Sequence, residues 1–197
     1  SAKRITVITP FYGYARQDKK HRGREPITAR LMANLFATAG ADRLMAIDLH
    51  TSQIQGFFDI PVDHLFAAPL FARALQKSGL DDVIVVAPDP GSIKLARAYA
   101  GLLKREFALV DKHRVSPDLT QAGFVIGNVA GKRVLLVDDM IATGSSTAEA
   151  ARALKEKGAL EVYVAATHAV FCGPAKERLA ASPIRQLYVS DSIPVKD

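Results

Sequence analysis

Two adjacent carboxylates, Asp138 and Asp139, follow the apolar run Val134-Leu135-Leu136-Val137, and a turn of small hydroxyl residues, Thr143-Gly144-Ser145-Ser146-Thr147, comes just after them. Gly144 lets the backbone approach a ligand closely. The free amides and positive dipole end of a following helix suit a phosphate, with Ser145, Ser146 and Thr147 adding hydroxyl donors. Carboxylates repel that phosphate, but they accept hydrogen bonds from sugar hydroxyls or face a magnesium ion. The turn therefore reads as a site for a phosphorylated sugar. The plainer alternative is that Asp138 and Asp139 cap a helix and the Gly/Ser run is a tight connection.

Strand, acid pair and T-G-S-S-T turn occur in order, a pattern that resembles the phosphoribosyl-binding loop of type I phosphoribosyltransferase folds. In that family the acids contact the ribose 2- and 3-hydroxyls and the loop amides wrap the 5-phosphate. A second stretch, residues 10–29 (Pro-Phe-Tyr-Gly-Tyr-Ala-Arg-Gln-Asp-Lys-Lys-His-Arg-Gly-Arg-Glu-Pro-Ile-Thr-Ala), resembles the ATP-binding segment of the ribose-phosphate diphosphokinases, or PRPP synthetases. Further stretches agree in the family's order: Asp48-Leu49-His50 with residues 53–58, Pro88-Asp89-Pro90-Gly91, Asp111-Lys112-His113-Arg114, and Thr167-His168 with Cys172-Gly173-Pro174-Ala175. An ordinary phosphoribosyltransferase would share the loop alone.

The resemblance implies transfer of a diphosphoryl group from ATP to the 1-hydroxyl of ribose 5-phosphate, giving PRPP and AMP, with Mg²⁺ as cofactor and assembly into homo-oligomers. By similarity Lys112 and Arg114 stabilise the transferring group, and one residue between them lets both cations face the same phosphate chain. Arg16 and Gln17 are assigned to ATP, the guanidinium stacking on the base and the amide reading its edge. His50 and Asp89 are the metal-associated pair, and Asp138, Asp139, Thr143, Gly144, Ser145, Ser146 and Thr147 bind ribose 5-phosphate. Each has an ordinary reading too: a solvated charge run for residues 111–114, a capping or core-bonded His50, turn initiation for Asp89. His168 is read as structural or regulatory, Cys172 as a small packed side chain, and Leu31, Leu35 and Phe36 as a core stripe.

The chain departs from the family at Ala142, where many members have Asp, and at Ser145-Ser146, where they have Gly-Thr. Ala142 matches the loop of adenine-type phosphoribosyltransferases instead, keeping the amides but losing one carboxylate near the sugar. The family's longer N-terminus and its F-x-D-G-E type loop have no counterpart in these residues, so a shortened chain whose ATP turnover is lost is one expectation. A phosphoribosyltransferase that consumes PRPP and a catalytically silent regulatory subunit are the alternatives.

With 197 residues and 49% hydrophobic content the chain can bury a sizeable core. Its 26 Lys+Arg against 20 Asp+Glu give +6, which favours anionic ligands. Trp is absent and no zinc-finger or RNP-like pattern occurs, which argues against nucleic acid. A single Cys excludes an intrachain disulfide framework and fits a reducing compartment. No apolar run approaches about 18 residues and no signal-peptide core follows the first charges, so the expected location is cytoplasmic, away from membranes.

Hydrophobic periodicity alternates strand and helix in the βαβ manner. Strands are expected at residues 5–9, 43–49, 82–87, 107–110, 134–137, 161–166 and 186–189, and helices at 28–39, 69–77, 92–104, 148–157 and 174–181. Residues 61–65 are expected to cross between lobes, 116–120 to form a loop, and 123–129 a hairpin. The expected fold is α/β, a parallel or mixed sheet flanked by helices and phosphoribosyltransferase-like. Residues 1–65 would be a partial N-terminal ATP-binding lobe and residues 66–197 the ribose 5-phosphate-binding domain.

Overall fold

A computed structural model describes residues 2–20, 22–80, 82–111, 114–116, 119–120 and 124–195. They divide into two compact units, Ser1–Ala67 and Ala68–Asp197. Among the described residues no helix is long and apolar enough to cross a membrane.

The first unit is a three-stranded parallel sheet in the order β1 (Thr6–Ile8), β2 (Arg43–Ile47), β3 (Val62–Leu65), with α1 (Thr28–Thr38) packed on it. Residues expected to cross between lobes instead pair with β2, Val62 opposite Leu44 and Leu65 opposite Ile47. Leu44, Ala46, Ile54 and Tyr12 form the core with Ala29 and Ala33 of α1. Those two alanines are the buried residues of the helix, whereas Leu31 and Leu35 are 50% and 52% exposed. The expected core stripe is thus corrected: alanines let the helix lie close to the sheet, and the leucines turn outward. Phe36 remains partly buried against this core. Gly40, at φ +97°, ends the segment in a conformation that side chains resist.

His64, on β3, holds the chain before residue 50 in place. Its Nε2 accepts a hydrogen bond from the Leu49 amide at 2.9 Å, and its ring lies 4.4 Å from that of Phe66. A proton on Nε2 would remove that acceptor. Burial pushes the imidazole below its ordinary value of 6.5, while the charge of Asp48 pulls it back up. Above pH 6.5 the ring is neutral whether the chain is folded or unfolded. As pH falls through that value the unfolded chain takes up a proton first, so stability declines until the folded ring is also protonated. Urea unfolding followed by circular dichroism is expected to show the first unit weaker at pH 5.5 than at 7.5, with a smaller drop in His64→Gln. An equal drop in both proteins would remove His64 as the cause.

The second unit is built on a six-stranded sheet in the order β11-β10-β9-β4-β5-β8, where β4 is Ile84–Ala87, β5 Phe107–Asp111, β8 Phe124–Ile126, β9 Arg133–Ile141, β10 Glu161–Ala169 and β11 Ile184–Val189. Only β8 runs antiparallel, against β5. Arg114–Ser116 (β6) and Leu119–Thr120 (β7) pair as a separate antiparallel hairpin where a loop was expected. The helices are α2 (Ala68–Lys77), α3 (Ile93–Leu103), α4 (Ser145–Glu156) and α5 (Ala175–Ala180). Along β9, Val134 and Leu136 join the core that contains Ala150, Ala151 and Leu154 of α4. Leu135 and Val137 alternate to the other face, and α3 packs against β4 and β9. Cover on both faces explains a strand without polar alternation, and each such buried side chain contributes about 1.5–3 kcal/mol.

The connections fix where a ligand can sit. From β4 the chain passes through α3 to β5 on one side, and from β9 it passes through α4 to β10 on the other. Neighbouring β4 and β9 therefore feed helices in opposite directions, and a crevice opens beyond their carboxyl ends.

Candidate functional site

The residues around that crevice are Asp89 and Ser92 after β4, and Asp138 and Asp139 within β9. The acids were expected at the strand's end, but β9 runs on to Ile141 because β10 continues beside it, Asp138 opposite Ala166 and Met140 opposite His168. Ser92 joins the two sides. Its hydroxyl donates to Asp138 Oδ1 at 3.1 Å and to Asp89 Oδ1 at 3.4 Å, and its amide donates to Asp89 Oδ1 at 3.2 Å. The Asp139 amide donates to Asp138 Oδ1 at 3.0 Å. Burial first, then the charge of Asp139 and its hydrogen bond with this carboxyl, then the charge of Asp89, push Asp138 up to about 8; the Ser92 hydroxyl pulls it down. Such clustering of carboxyl groups is costly for the fold and well suited to hydroxyl donors or a cation.

Gly144 makes the turn from β9 into α4 at φ +72° and ψ −1°, and no side chain caps the helix. The amides of its first turn have no partner within a helix by its geometry, so they are donors for an anion. Thr143 and Ser146 are exposed, Ser145 is half-buried and Thr147 is buried. The chain's later residues hold this loop from behind. Phe171 and Cys172 amides donate to the carbonyls of Ile141 and Ala142 at 3.1 and 2.9 Å. From α5, Arg178 donates to the Thr143 carbonyl and to Ser145 Oγ, each at 2.6 Å. A side chain on Gly144 would meet Leu179 Cγ at 3.2 Å and the Ala175 carbonyl at 3.4 Å.

The other candidates divide between the units. Asp89 stands in the second unit with the acid pair, while Arg16, Gln17 and His50 stand in the first. There Thr51 Oγ1 donates to Asp18 Oδ2 at 2.9 Å, tying the segment of Arg16 and Gln17 to that of His50. Arg16, Gln17 and His50 are exposed. Just before His50, buried Asp48 takes φ +40° and accepts the Ala67 amide at 3.1 Å. Lys112 lies outside the described residues. Arg114 opens β6, and its side chain is likewise not described. His168 is 1% exposed, with Nδ1 2.8 Å from Ser192 Oγ, a hydrogen-bonded place inside the fold. Cys172 is exposed rather than packed, because its backbone serves the loop and its side chain is left at the surface.

Ser92 and Arg178 were missed from sequence. A serine opening a helix and an arginine in a helix's last turn are ordinary signals, and their partners lie 46 and 33–35 residues away.

Comparison with known proteins shows what the chain is similar to. Residues 1–40 match a family described as the N-terminal domain of ribose phosphate pyrophosphokinase, and residues 113–197 match the phosphoribosyl synthetase-associated domain. The ribose-phosphate pyrophosphokinase of Halalkalibacterium halodurans is 50% identical over all 197 residues, and that of Corynebacterium ammoniagenes 50% over 193. The chain spans 62% of the first relative's length and 61% of the second's. The crystal structure of phosphoribosylpyrophosphate synthetase from Mycobacterium smegmatis matches the whole chain and 64% of its own, with 48% identity and a TM-score of 0.93. The resemblance runs from end to end of these residues and includes the sugar-phosphate loop, so the chain is similar throughout to the ribose-phosphate pyrophosphokinases, of which it spans about three fifths.

Proposed function

We propose that this chain carries the machinery for making PRPP and AMP from ribose 5-phosphate and ATP, with the sugar-phosphate half held in the second unit. The observation that carries the reading is the loop at Gly144: an uncapped helix start beside two carboxylates at the mouth of the β4–β9 crevice. Asp138 and Asp139 accept the sugar's 2- and 3-hydroxyls, and residues 143–147 hold the 5-phosphate with amides and hydroxyls. The 1-hydroxyl oxygen bonds to the β-phosphorus of ATP, the bond from that phosphorus to the α–β bridging oxygen breaks, AMP leaves, and the hydroxyl proton is lost. Negative charge on the transferring oxygens is met by Lys112 and Arg114, and Arg16 and Gln17 hold the nucleotide.

Magnesium is part of the proposal. Among the described residues no three His, Cys, Asp or Glu converge to hold a metal by themselves. Magnesium is ordinarily bound by one or two carboxylates together with substrate phosphates, so the hard oxygens of Asp89 fit it. Bound there it neutralises phosphate charge. His50 is proposed separately as metal-associated in the first unit, on the family resemblance. Assembly into homo-oligomers is supported by the exposure of Leu31 and Leu35, and a cytoplasmic setting by the exposed thiol of Cys172.

Incubation with Mg²⁺, ATP and ribose 5-phosphate is expected to yield AMP and PRPP in equal amounts. Loss of both turnover and ribose 5-phosphate binding would overturn the reading. Turnover lost with binding kept would favour a shortened chain or a regulatory subunit. In an active chain Lys112→Ala is expected to lower kcat by roughly a hundredfold while changing the ATP KM far less, because the ammonium acts on charge that grows in the transition state. Parallel loss in both constants would assign Lys112 to ground-state binding.

A further inference from the structure

The phosphate loop brings no cation of its own: residues 142–147 are Ala, Thr, Gly, Ser, Ser and Thr, and the acids ahead of it are negative. A guanidinium reaches it from elsewhere. Arg178 is half-buried and touches the loop at two points, the Thr143 carbonyl and Ser145 Oγ, both at 2.6 Å. Arginine only donates, so Ser145 must accept from it. With one of its lone pairs so engaged, the Ser145 hydroxyl is left to turn its own proton outward, either to Thr143 Oγ1 at 3.4 Å or to an anion in the loop. The neighbouring residue on α5, Leu179, lies against the Gly144 position, so this short helix backs the turn with both an apolar and a charged side chain.

We propose that Arg178 is a positioning residue for the sugar-phosphate loop: it orients the Ser145 hydroxyl as a donor and sets a positive charge behind the loop that favours the doubly ionised phosphate ester. The proposal rests on the reading of this loop as the ribose 5-phosphate site and goes beyond it by naming where the site's charge selectivity originates. A phosphate monoester loses its second proton near pH 6. A permanent cation therefore gains more from the ligand at pH 7.5 than at 5.5, whereas a purely structural strut would matter equally at both.

The test is calorimetric binding of ribose 5-phosphate to the whole chain at pH 5.5 and 7.5, for the unaltered protein, Arg178→Gln and Arg178→Lys. Other ionisable groups, namely Asp138 and Asp139 on β9, Glu149 on α4, and Lys176 and Glu177 on α5, are common to all three proteins and cancel in the ratio of affinities. Arg178→Gln is expected to bind about thirtyfold more weakly at pH 7.5 and only a few-fold more weakly at 5.5, in line with the strength of charge-assisted hydrogen bonds. Arg178→Lys keeps the charge but not the planar fork, and is expected to recover the pH trend with part of the affinity. Unchanged affinity in Arg178→Gln, or an equal loss at both pH values that Lys does not relieve, would overturn the inference while leaving the site reading intact. An unaltered chain that does not bind ribose 5-phosphate would end both.

Discussion

Asp138→Asn is expected to melt about 4 °C higher than the unaltered chain at pH 7.5, a gain of about 1 kcal/mol, while binding ribose 5-phosphate about tenfold more weakly. The two effects have one origin. The carboxyl of Asp138 is raised from its ordinary 3.8 to about 8 by burial and by the acids beside it. Between those values the unfolded chain has already released its proton while the folded chain retains it, so folding loses ground as pH rises through that window. Asn stays neutral throughout and can still accept from the Ser92 hydroxyl and the Asp139 amide through its own oxygen. The full shift would correspond to several kcal/mol, but Asp138 titrates together with Asp139 and Asp89 and is not fully sealed from solvent, so only part of it is expected in the melting temperature. The binding loss comes from replacing a carboxyl, which can give up its proton and accept from sugar hydroxyls through both oxygens, by an amide with one acceptor oxygen and a nitrogen that only donates. Asp139→Asn is expected to weaken binding by a similar factor. Scanning calorimetry from pH 3 to 8 separates the cases: the advantage of Asp138→Asn should shrink towards pH 4 and be gone near pH 3, where the carboxyl is protonated in both states. A lower melting temperature than the parent at pH 7.5 would show that Asp138 is not strained.

That stability is given up where the ligand binds agrees with what was readable in the sequence. An apolar strand, an acid pair and a small-residue turn are local signals: β9 opens with the expected apolar run and Gly144 makes the expected turn into α4, while the acids lie within the strand and not at its end. What made them a site is not local. The crevice exists because β4 lies beside β9, although the two strands are some fifty residues apart in the chain and send their connections opposite ways. Periodicity likewise found a stripe on α1 but not its direction. Small residues at 29 and 33 allow close packing and take the inward side, leaving Leu31 and Leu35 outside. The length of β9 beyond Val137 was set by its partner β10, and the hairpin of β6 and β7 pairs only a few residues, too short to carry an alternation signal. Ser92 and Arg178 gain their meaning from partners on other elements, which spacing along one element does not reveal.

Gly144 gives the sharpest test of the loop itself. Gly144→Ala is expected to weaken ribose 5-phosphate binding roughly a hundredfold, because amides displaced by about an ångström no longer converge on one phosphate. Two costs act at this position. Any side chain resists φ +72°, by about 1–2 kcal/mol. The added methyl also meets Leu179 Cγ at 3.2 Å and the Ala175 carbonyl at 3.4 Å. The leucine can yield by rotating, but the backbone dihedral cannot relax without moving the amides that follow it. Leu179→Ala in the same chain is therefore expected to leave most of the binding defect in place, and Gly144→Val should be worse than Gly144→Ala because a branched side chain is more hindered in the left-handed region. Full recovery in the Gly144→Ala, Leu179→Ala double variant would trace the loss to crowding against α5. Binding by Gly144→Ala at the unaltered affinity would mean that the turn does not hold the phosphate at all, and the acid pair would then have to be read as a helix-flanking feature of the strand.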